Sequence, residues 1–526
     1  MRRTLVPLCY HAGMKPLRYL DTRALDETRP TFTEAVVKGI ARGGGLYVPE
    51  SLPALDLADI LALSDLPYRD RAAYVFRAFG VDVDDERMAR LMAGAYGDQW
   101  DDERIAPVEE VVPGIHVLEL WHGPTSAFKD MALQCMPRFF SEAIAIQQAA
   151  GTLDDDYLVL VATSGDTGKA ALEGFADRPH TGIVVFYPAE GVSDIQRAQM
   201  VTQRGENVGV FGVRGNFDAC QNAVKAAFND PAFNETLTAE RKLRLSSANS
   251  INWGRLLPQI AYYVSAYAGM VASGGLVAGE PMDVCVPTGN FGNILGAYYA
   301  QRVGVPIGRL LCASNANNVL SDFIATGTYD ISERAFVTTP SPSMDILISS
   351  NLERLLFHLA GADAVRGWMA SLAAEGRFRV DRDTFAAMRD LMSGDWVSND
   401  ESLVTIRRVF EETRYLMDPH TSVAWEVAER LRGENPVLVV STAHWAKFGA
   451  DVYKALHDLA YDAPLPADAA VLPGVDLLAE VAAFAGEGAC VPAPLAELGA
   501  LPDRFTGVVD AGRDAVEAAV TEWLAR

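Results

Sequence analysis

Lys129 is the residue of this sequence best suited to act as a nucleophile. It stands between the aromatic Phe128 and the start of a predicted helix, not on a solvated helix face. A lysine that forms a Schiff base reacts as a neutral amine, and partial burial beside apolar or cationic groups lowers its pKa toward that state. Considered alone, the segment fits a surface lysine beside Asp130 equally well.

A glycine-flanked loop further along the chain could hold a phosphate. It consists of Gly289, Asn290, Phe291, Gly292 and Asn293, and a predicted helix follows it directly. The free N–H groups and the positive dipole end of a helix start attract anions. A left-handed turn that only joins a strand to a helix is the alternative interpretation.

A second loop of small polar residues could bind a carboxylate. Its candidate groups are Ser164, Asp166 and Thr167, just before a predicted helix. The adjacent Lys169 does not make this loop a Walker A motif, because Ala170 stands where that motif has Ser or Thr. The same polar residues could serve as the N-cap of the helix, and both roles can hold together.

Each of these segments follows a short β-branched run, and an amphipathic helix comes next. The four predicted strands are residues 115–121, 157–162, 282–286 and 437–440. This alternation is typical of parallel βα units, in which ligands bind beyond the carboxyl ends of the strands. The predicted fold class is therefore α/β, with all four loops at ligand-binding edges.

The rest of the chain divides by composition. Residues 1–13 are interpreted as an extension or tag, and residues 14–107 as a mainly helical N-terminal domain. Residues 108–460 form the predicted catalytic α/β region, with a smaller lobe at about 130–275. Residues 461–526, rich in Ala, Pro and acidic residues, are predicted to form a C-terminal cap.

The charge balance excludes whole classes of partner. The 526 residues carry a net charge of −24, whereas a nucleic-acid-binding protein needs a basic face. No apolar run is long enough to span a membrane and no secretory signal is visible, so a cytoplasmic protein is expected. The six cysteines are far apart and lack the spacing of a metal site, so neither disulfides nor a bound metal is expected.

Residues 122–130, with the sequence HGPTSAFKD, resemble the pyridoxal-5'-phosphate (PLP) attachment site of threonine synthases. The loops after the other three predicted strands resemble those of the same family, in the same order. Further similarity lies in residues 44–49 and 249–259 and between residues 343 and 354. The resemblance extends over roughly residues 14–460.

The resemblance implies a type II PLP fold, in which two α/β lobes enclose the cofactor. It implies that Lys129 holds PLP as a Schiff base and that Thr442 faces the pyridine nitrogen. A neutral hydroxyl at that position would leave the ring nitrogen largely unprotonated. The PLP phosphate is expected at Gly289, Asn290, Phe291, Gly292 and Asn293.

The resemblance also implies the substrate contacts. The groups that would bind the α-carboxylate are Ser164, Asp166 and Thr167. The candidates for a substrate phosphate are Asn252, Arg255 and Lys447, since a dianion in so acidic a protein needs local cations. Trp445 departs from the family, in which a proline is usual at this position, and it could narrow the phosphate side of the pocket.

The implied reaction converts O-phospho-L-homoserine and water to L-threonine and phosphate by γ-elimination and β-addition, with Lys129 moving the carbon protons. Such an enzyme is a carbon–oxygen lyase acting on a phosphate, in threonine biosynthesis. Two alternatives stay open. One is another type II PLP lyase, such as a serine or threonine dehydratase or an amino-acid phospho-lyase. The other is a non-catalytic PLP-binding homologue. The sequence does not indicate whether the chain is a monomer or a homo-oligomer.

Overall fold

The computed structural model of the protein describes residues 16–163, 165–189 and 192–526. Ser164 and the predicted extension at residues 1–13 lie outside these ranges. In chain order, the strands are β1 (Tyr19–Asp21), β2 (Tyr47–Pro49), β3 (Val108–Val112), β4 (Ile115–Glu119), β5 (Asp156–Ala162), β6 (Thr181–Pro188), β7 (Val208–Val213), β8 (Leu243–Ser246), β9 (Met282–Pro287), β10 (Ile307–Ser314), β11 (Thr328–Asp330), β12 (Arg377–Arg379), β13 (Met392–Trp396), β14 (Val437–Ser441) and β15 (Val508–Val509).

The α-helices alternate with these strands through most of the chain. They are α1 (Phe32–Lys38), α2 (Leu57–Ala62), α3 (Tyr68–Ala78), α4 (Asp85–Ala95), α5 (Lys129–Leu133), α6 (Met136–Ala149), α7 (Asp166–Phe175), α8 (Asp194–Val201), α9 (Phe217–Phe228), α10 (Pro231–Arg241), α11 (Trp253–Ser273), α12 (Gly292–Arg302), α13 (Val319–Thr326), α14 (Leu352–Ala360), α15 (Ala362–Glu375), α16 (Arg382–Leu391), α17 (Asn399–Thr413), α18 (Pro419–Leu431), α19 (Gly449–Leu456), α20 (Ala467–Ala470), α21 (Gly474–Ala485), α22 (Ala493–Ala496) and α23 (Arg513–Leu524).

Two separate sheets form the body of the protein. The larger has the strand order β13-β10-β9-β14-β4-β3, and its neighbouring strands are parallel except β3 and β4. The smaller has the order β15-β7-β6-β5-β8 and is wholly parallel. Strands β4, β9 and β14 are buried along their whole length, as expected for parallel strands covered on both faces. The α/β class and the two-lobed architecture predicted from the sequence are confirmed.

The strand order of the larger sheet decides which loops meet. Because β14 lies between β4 and β9, the loops after these three strands share one edge of the sheet. These loops are residues 122–130, 289–293 and 441–448. The loop between β5 and α7 belongs to the smaller sheet, so only the packing of one lobe against the other can bring it to the same place.

The N-terminal region is mainly helical, as predicted, and it shares a core with the body of the protein. Phe32 of α1 and Phe76 of α3 contact Phe139 of α6, with ring centroids 5.8 and 5.2 Å from that of Phe139. Aromatic pairs at such separations stabilise a core beyond the apolar area that they bury. The region is therefore held on the catalytic body by apolar packing.

The helix α11 is the longest of the described helices, and it positions several residues of the site. It begins after its N-cap residue Asn252 and is buried along most of its length, where it packs against α3 and α12. None of the helices in the described ranges, this one included, is both long and apolar enough to cross a bilayer. α11 is a central helix of the protein core and not a membrane-spanning segment.

The C-terminal tail contacts both lobes. Its strand β15 pairs with β7, its helix α23 packs against α9, and α21 packs against α19. Trp445 is buried in an apolar cluster that includes Leu478 and Val481 of α21. The indole ring thus belongs to an apolar cluster that the C-terminal tail shares with the body of the protein, which gives the tryptophan a packing role. A narrower phosphate side of the pocket stays a prediction.

Candidate active site

Lys129 is the first residue of α5. The loop that precedes it is hydrogen-bonded through its backbone to the loop after β14. The Phe128 N–H donates to the Thr442 carbonyl at 2.8 Å, and the His444 N–H donates to the Ser126 carbonyl at 3.1 Å. Ser126 has a φ of 58°, a conformation that non-glycine residues adopt only where their surroundings enforce it. Two of the predicted cofactor residues, Lys129 and Thr442, therefore lie on adjacent backbones.

The Lys129 amine is buried in a polar cleft, with 8% of the residue exposed. Its Nζ lies 3.0 Å from Ser343 Oγ and 3.7 Å from Asp166 Oδ2. Burial lowers the pKa of Lys129 to about 8, although Asp166 opposes this shift. Arg255 and Lys447 lower the pKa further. A usable fraction of this amine is neutral near pH 7, as a nucleophile or base requires.

Asp166, at the start of α7, is bound by groups from three other segments. Its Oδ1 lies 3.0 Å from Lys447 Nζ and accepts a hydrogen bond from Gln196 Nε2 at 3.0 Å. Its Oδ2 accepts a hydrogen bond from Ser343 Oγ at 3.1 Å. Burial alone would raise the pKa of Asp166, but Lys447 and Lys129 hold it well below its ordinary value. The charged carboxylate thus joins the loop of the smaller lobe to Lys129.

Lys447 is enclosed by acceptors from two further segments. Its ammonium donates to the Thr125 carbonyl at 2.8 Å and to Gln199 Oε1 at 2.9 Å, in addition to its contact with Asp166. The residue is 1% exposed. Lys447 therefore connects three of the predicted loops, and its donors are already occupied by protein groups.

The glycine-flanked loop between β9 and α12 lies against the segment around Ser343. A Cβ added to Gly289 would come within 2.7 Å of the Ser343 carbonyl oxygen, so only glycine permits this approach. Asn351 donates from both its backbone N–H and its Nδ2 to the Asn290 carbonyl, at 3.1 and 3.0 Å. Phe291, with a φ of 62°, immediately precedes Gly292, where α12 begins. The loop is fixed as a helix start, which is the geometry of a phosphate cradle.

Asn293 tests whether this loop fits a phosphate. Its Oδ1 accepts hydrogen bonds from the hydroxyls of Tyr262 and Tyr263. These bonds fix the amide so that Nδ2 is a donor, yet this buried atom has no hydrogen-bond partner within the described residues. A buried donor without an acceptor is costly. An anion bound at the start of α12 would satisfy it, so the residues present fit the phosphate of a cofactor.

Arg255, in the first turn of α11, carries the second unsatisfied donor of the site, and this donor belongs to a cation. It is 4% exposed and donates through Nη1 to the Ala248 carbonyl at 2.6 Å, whereas its buried Nε has no partner in the described part of the chain. Burial lowers the pKa of Arg255 to about 10. Asn252 supports the same turn: its side chain accepts from the Gly254 N–H and donates to the Val36 carbonyl. Arg255 is therefore free to bind an anion, while the Asn252 amide is already engaged.

Arg354 connects the segments that carry these groups. It is fully buried and donates to the Tyr47 carbonyl at 2.9 Å, to Asn351 Oδ1 at 2.6 Å and to the Ile251 carbonyl at 2.6 Å. Asn351 in turn holds the Asn290 carbonyl of the glycine-flanked loop. One guanidinium thus links the N-terminal region, the phosphate cradle and the turn that precedes Arg255.

Arg354→Met is expected to lower the free energy of unfolding by about 1–3 kcal/mol, because it leaves buried acceptors without donors. It should also weaken PLP binding, since Asn351 loses its anchor. Urea denaturation and a PLP titration measure the two effects. Arg366→Met, which changes an exposed arginine bound to Asp363, is the matched control and should stay within about 0.5 kcal/mol of the original chain. Equal losses in both variants would contradict this linking role.

Several residues of the site were not identified from the sequence. They are Ser343, Gln196, Gln199 and His420. His420 Nε2 accepts from the Ser343 N–H at 3.1 Å, and its Nδ1 contacts Asp418 Oδ2 at 2.6 Å. Ser343 lies in a segment that resembles the family, so its sequence carried a signal, but no spacing rule connects it to Lys129. The other three gave no signal that a single sequence could reveal.

His122, seven residues before Lys129, is held between two carboxylates. Its Nδ1 lies 2.5 Å from Asp101 Oδ1 and its Nε2 lies 2.9 Å from Glu119 Oε2. Burial alone would lower the pKa of His122, but the hydrogen bonds to Asp101 and Glu119 raise it to about 9. A histidine whose pKa is raised in the folded state stabilises the fold fully below about pH 6.5, and this stabilisation is lost as the pH rises through about 9.

The variant His122→Gln should therefore be less stable than the original chain at pH 6, by at most about 3 kcal/mol, and nearly as stable at pH 9.5. Urea denaturation at several pH values measures the difference. His180→Gln, which alters a more exposed histidine beside Asp156, is the control. A difference between His122→Gln and the original chain that does not change with pH would rule out a charged His122.

Comparison with known proteins places this geometry in a family. The chain matches the family descriptions "Threonine synthase N terminus" over residues 18–96, "Pyridoxal-phosphate dependent enzyme" over residues 106–443 and "Threonine synthase, C-terminal" over residues 421–475. Human threonine synthase-like 1 is 42% identical over 436 residues, which are 81% of this chain and 58% of that protein. The chain therefore spans little more than half the length of this relative.

Other relatives are covered almost completely. The threonine synthase of Saccharomyces cerevisiae is 36% identical over 469 residues, which are 83% of this chain and 89% of that protein. The crystal structure of PLP-bound threonine synthase from Brucella melitensis superposes with a TM-score of 0.83 at 34% identity and covers 96% of this chain and 99% of that one. The yeast threonine synthase structure also gives 0.83, at 32% identity and with 97% and 99% coverage.

The two-lobed α/β architecture thus agrees with that of these relatives. The chain has the type II fold of PLP enzymes, and PLP is its cofactor. It belongs to the threonine synthase family.

Proposed function

We propose that this chain is a threonine synthase, which converts O-phospho-L-homoserine and water to L-threonine and inorganic phosphate. The observation that carries the proposal is the presence of two separate unsatisfied donors in the site. Asn293 Nδ2 belongs to the cradle for the cofactor phosphate, and Arg255 Nε belongs to another helix start. A second buried donor with a positive charge suits a phosphorylated substrate, whereas a serine or threonine dehydratase has no substrate phosphate to bind.

The residues proposed to hold the cofactor are Lys129, Thr442, Gly289, Asn290, Phe291, Gly292 and Asn293. When bound, PLP supplies an electron sink for the carbanions formed on the substrate. Lys129 would hold it covalently, and the cradle would hold its phosphate on the N–H groups of α12 and on Asn293 Nδ2. Thr442, on the backbone next to Lys129, would offer a neutral hydroxyl to the ring nitrogen.

The α-carboxylate of the substrate is proposed to bind at the start of α7. The first N–H groups of a helix have no acceptor inside the helix, and here they belong to Asp166 and Thr167. Thr163 Oγ1 already accepts from the Gly165 and Gly168 N–H groups and holds the turn in shape. The Thr167 hydroxyl and Ser164 would complete the carboxylate site. The Asp166 side chain is engaged by cations, so its part in this site would be that of its N–H.

The substrate phosphate is proposed to bind at Arg255, with Lys447 and Asn252 nearby. Arg255 has no carboxylate partner among the described residues, whereas Lys447 already has three acceptors. Arg255 is therefore the stronger candidate of the two cations. Asn252 would act mainly by capping α11 and so holding the Arg255 turn.

Lys129 is proposed to move the protons of the reaction. With its pKa lowered to about 8, its neutral amine can take the proton from Cα and then from Cβ of the substrate. A general base works best when its pKa lies near the working pH. The cleft around Lys129 is largely closed to solvent, which would keep water from the reacting carbons until it is needed.

Incubation of the purified, PLP-loaded chain with O-phospho-L-homoserine tests the proposal. Equal amounts of phosphate and threonine are expected, measured by a colorimetric phosphate assay and by amino-acid chromatography. An oxoacid and ammonia in place of threonine would instead identify another PLP lyase. PLP binding without any phosphate release would identify a non-catalytic homologue, an alternative that the similarity to human threonine synthase-like 1 leaves open.

A further inference from the structure

We propose that Asp166 is the docking group of the Lys129 amine, which means the carboxylate beside which the amine rests when it is not bonded to the cofactor. In this assignment, Ser343 is the hydroxyl that bridges the two side chains and Lys447 is the second cation that holds the carboxylate in place. The Asp166 side chain then acts as a positioning group, and only its backbone N–H belongs to the proposed α-carboxylate site. The inference rests on the proposed function, because it explains where the amine stays whenever it is not bonded to the cofactor.

The distances among Lys129, Ser343 and Asp166 support this docking role. Ser343 Oγ lies 3.0 Å from Lys129 Nζ and 3.1 Å from Asp166 Oδ2, so the hydroxyl accepts from the amine and donates to the carboxylate at once. The direct distance from Lys129 Nζ to Asp166 Oδ2 is 3.7 Å. Ser343 is itself fixed, since its N–H donates to His420 Nε2 and Asp418 holds the other ring nitrogen of His420.

Lys129 lies near two other cations, so a carboxylate is needed beside it if its amine is to hold a proton. Lys129 is faced by Asp166 from α7, by Arg255 from α11 and by Lys447 from the segment before α19. Asp166 is also faced by His420 from α18. Without the carboxylate, the lysine would stand in a buried site among cations alone, and burial would favour its neutral form further. Asp166 keeps the Lys129 pKa from falling below the range in which the amine can hold a proton.

This dock matters for the proton transfers. When the neutral amine takes the substrate Cα proton, the C–H bond breaks, an N–H bond forms on Nζ, and the electron pair stays with the substrate carbon. The new ammonium must remain in the cleft until it gives the proton back to a substrate carbon. Ser343 Oγ offers it a neutral acceptor at 3.0 Å, and the Asp166 carboxylate, 3.7 Å from Nζ, supplies a negative charge beside it, so the proton is retained without entry of water.

The variant Asp166→Asn tests the proposal, because it removes the charge and keeps the size of the side chain. In the full-length chain freed of PLP, lysines are labelled with trace acetic anhydride at a series of pH values, and the Lys129 peptide is quantified by mass spectrometry. The apparent pKa of Lys129 is expected to fall by about 1–3 pH units relative to the original chain. An unchanged pKa in a folded Asp166→Asn protein would overturn the proposal.

Glu173→Gln is the matched control. This carboxylate lies two turns further along α7, pairs with Lys169 at 2.9 Å and does not contact Lys129. The same change of charge on the same helix should leave the Lys129 pKa where it is in the original chain. A fall in both variants would overturn the proposal, since it would show a general effect of charge and not a dock.

Ser343→Ala provides a second variant if Asp166→Asn does not fold. It removes the bridging hydroxyl and leaves both Asp166 and Lys447 charged, so the fold has no buried charge without a partner. The Lys129 pKa should fall in the same direction by a smaller amount, and an unchanged value would overturn the proposal. The measurement uses no substrate, so its outcome is independent of whether the chain makes threonine.

Discussion

Lys129→Ala is expected to lower the rate of threonine formation at least about 1000-fold, because the variant loses both the covalent attachment of PLP and the base that moves the carbon protons. Phosphate release from O-phospho-L-homoserine measures turnover. Treatment with borohydride, followed by mass spectrometry of the intact chain, measures covalent attachment. The original chain should retain PLP after reduction, and the variant should not.

Lys169→Ala is the control for this prediction. Lys169 lies on α7 near the same cleft, but its amine pairs with Glu173 and contacts Gln203, with no contact to Lys129 or Ser343. The control should retain PLP after reduction and keep most of its activity. If Lys129→Ala still carried PLP covalently, the cofactor would be attached elsewhere, and the assignment of Lys129 would be wrong.

Arg255→Ala is expected to raise KM for O-phospho-L-homoserine by about 30-fold or more, with a smaller change in kcat. Truncating one partner of a buried charged contact costs about 2–5 kcal/mol, and each 1.4 kcal/mol corresponds to a factor of about ten. Steady-state phosphate release at several substrate concentrations measures both constants. Arg255→Lys should recover part of the loss, because it restores the charge without the planar geometry of a guanidinium.

Arg244→Ala is the matched control for Arg255. Arg244 lies on β8 ahead of the same turn, is partly exposed and pairs with Asp155 at 2.6 Å. Its loss should leave KM within about twofold of the original value, since exposed ion pairs contribute little. If Arg255→Ala also left KM unchanged, the buried arginine would not bind the substrate phosphate, and a PLP lyase acting on an unphosphorylated amino acid would become the better proposal.

Most of the cofactor site could be predicted from the sequence because its residues lie close together along the chain. The glycine-flanked loop with Asn293 and the segment with Lys129 each contain their functional groups within nine residues or fewer. Each also follows a buried strand, and strands and helix starts leave strong local patterns. Arg255 was predicted differently, from the resemblance of residues 249–259 to the family and from the need for a cation beside a substrate phosphate.

The role of Asp166 could not be read in the same way. From the sequence, its short polar side chain in a loop suggested a carboxylate ligand. In the structure, that side chain is surrounded by Lys447, Lys129 and Ser343, which are 281, 37 and 177 residues away in the numbering of the chain. A local sequence pattern cannot predict contacts between residues that are so far apart in the chain. The charges around Asp166, which decide the role of its side chain, therefore follow only from the packing of the two lobes.

By itself, the sequence determined the α/β class, because alternating strands and helices leave local patterns. It also determined the family and the cofactor, because several short motifs resemble those of threonine synthases. The assignment of Lys129 as the lysine that bears the cofactor stays a prediction. The tertiary structure alone decided which loops meet. It placed β14 between β4 and β9, brought the start of α7 from the other lobe to Lys129, and packed Trp445 in an apolar cluster with residues of the C-terminal tail. These outcomes depend on the order of strands and the packing of distant apolar faces, and a linear pattern of residues does not encode either one locally.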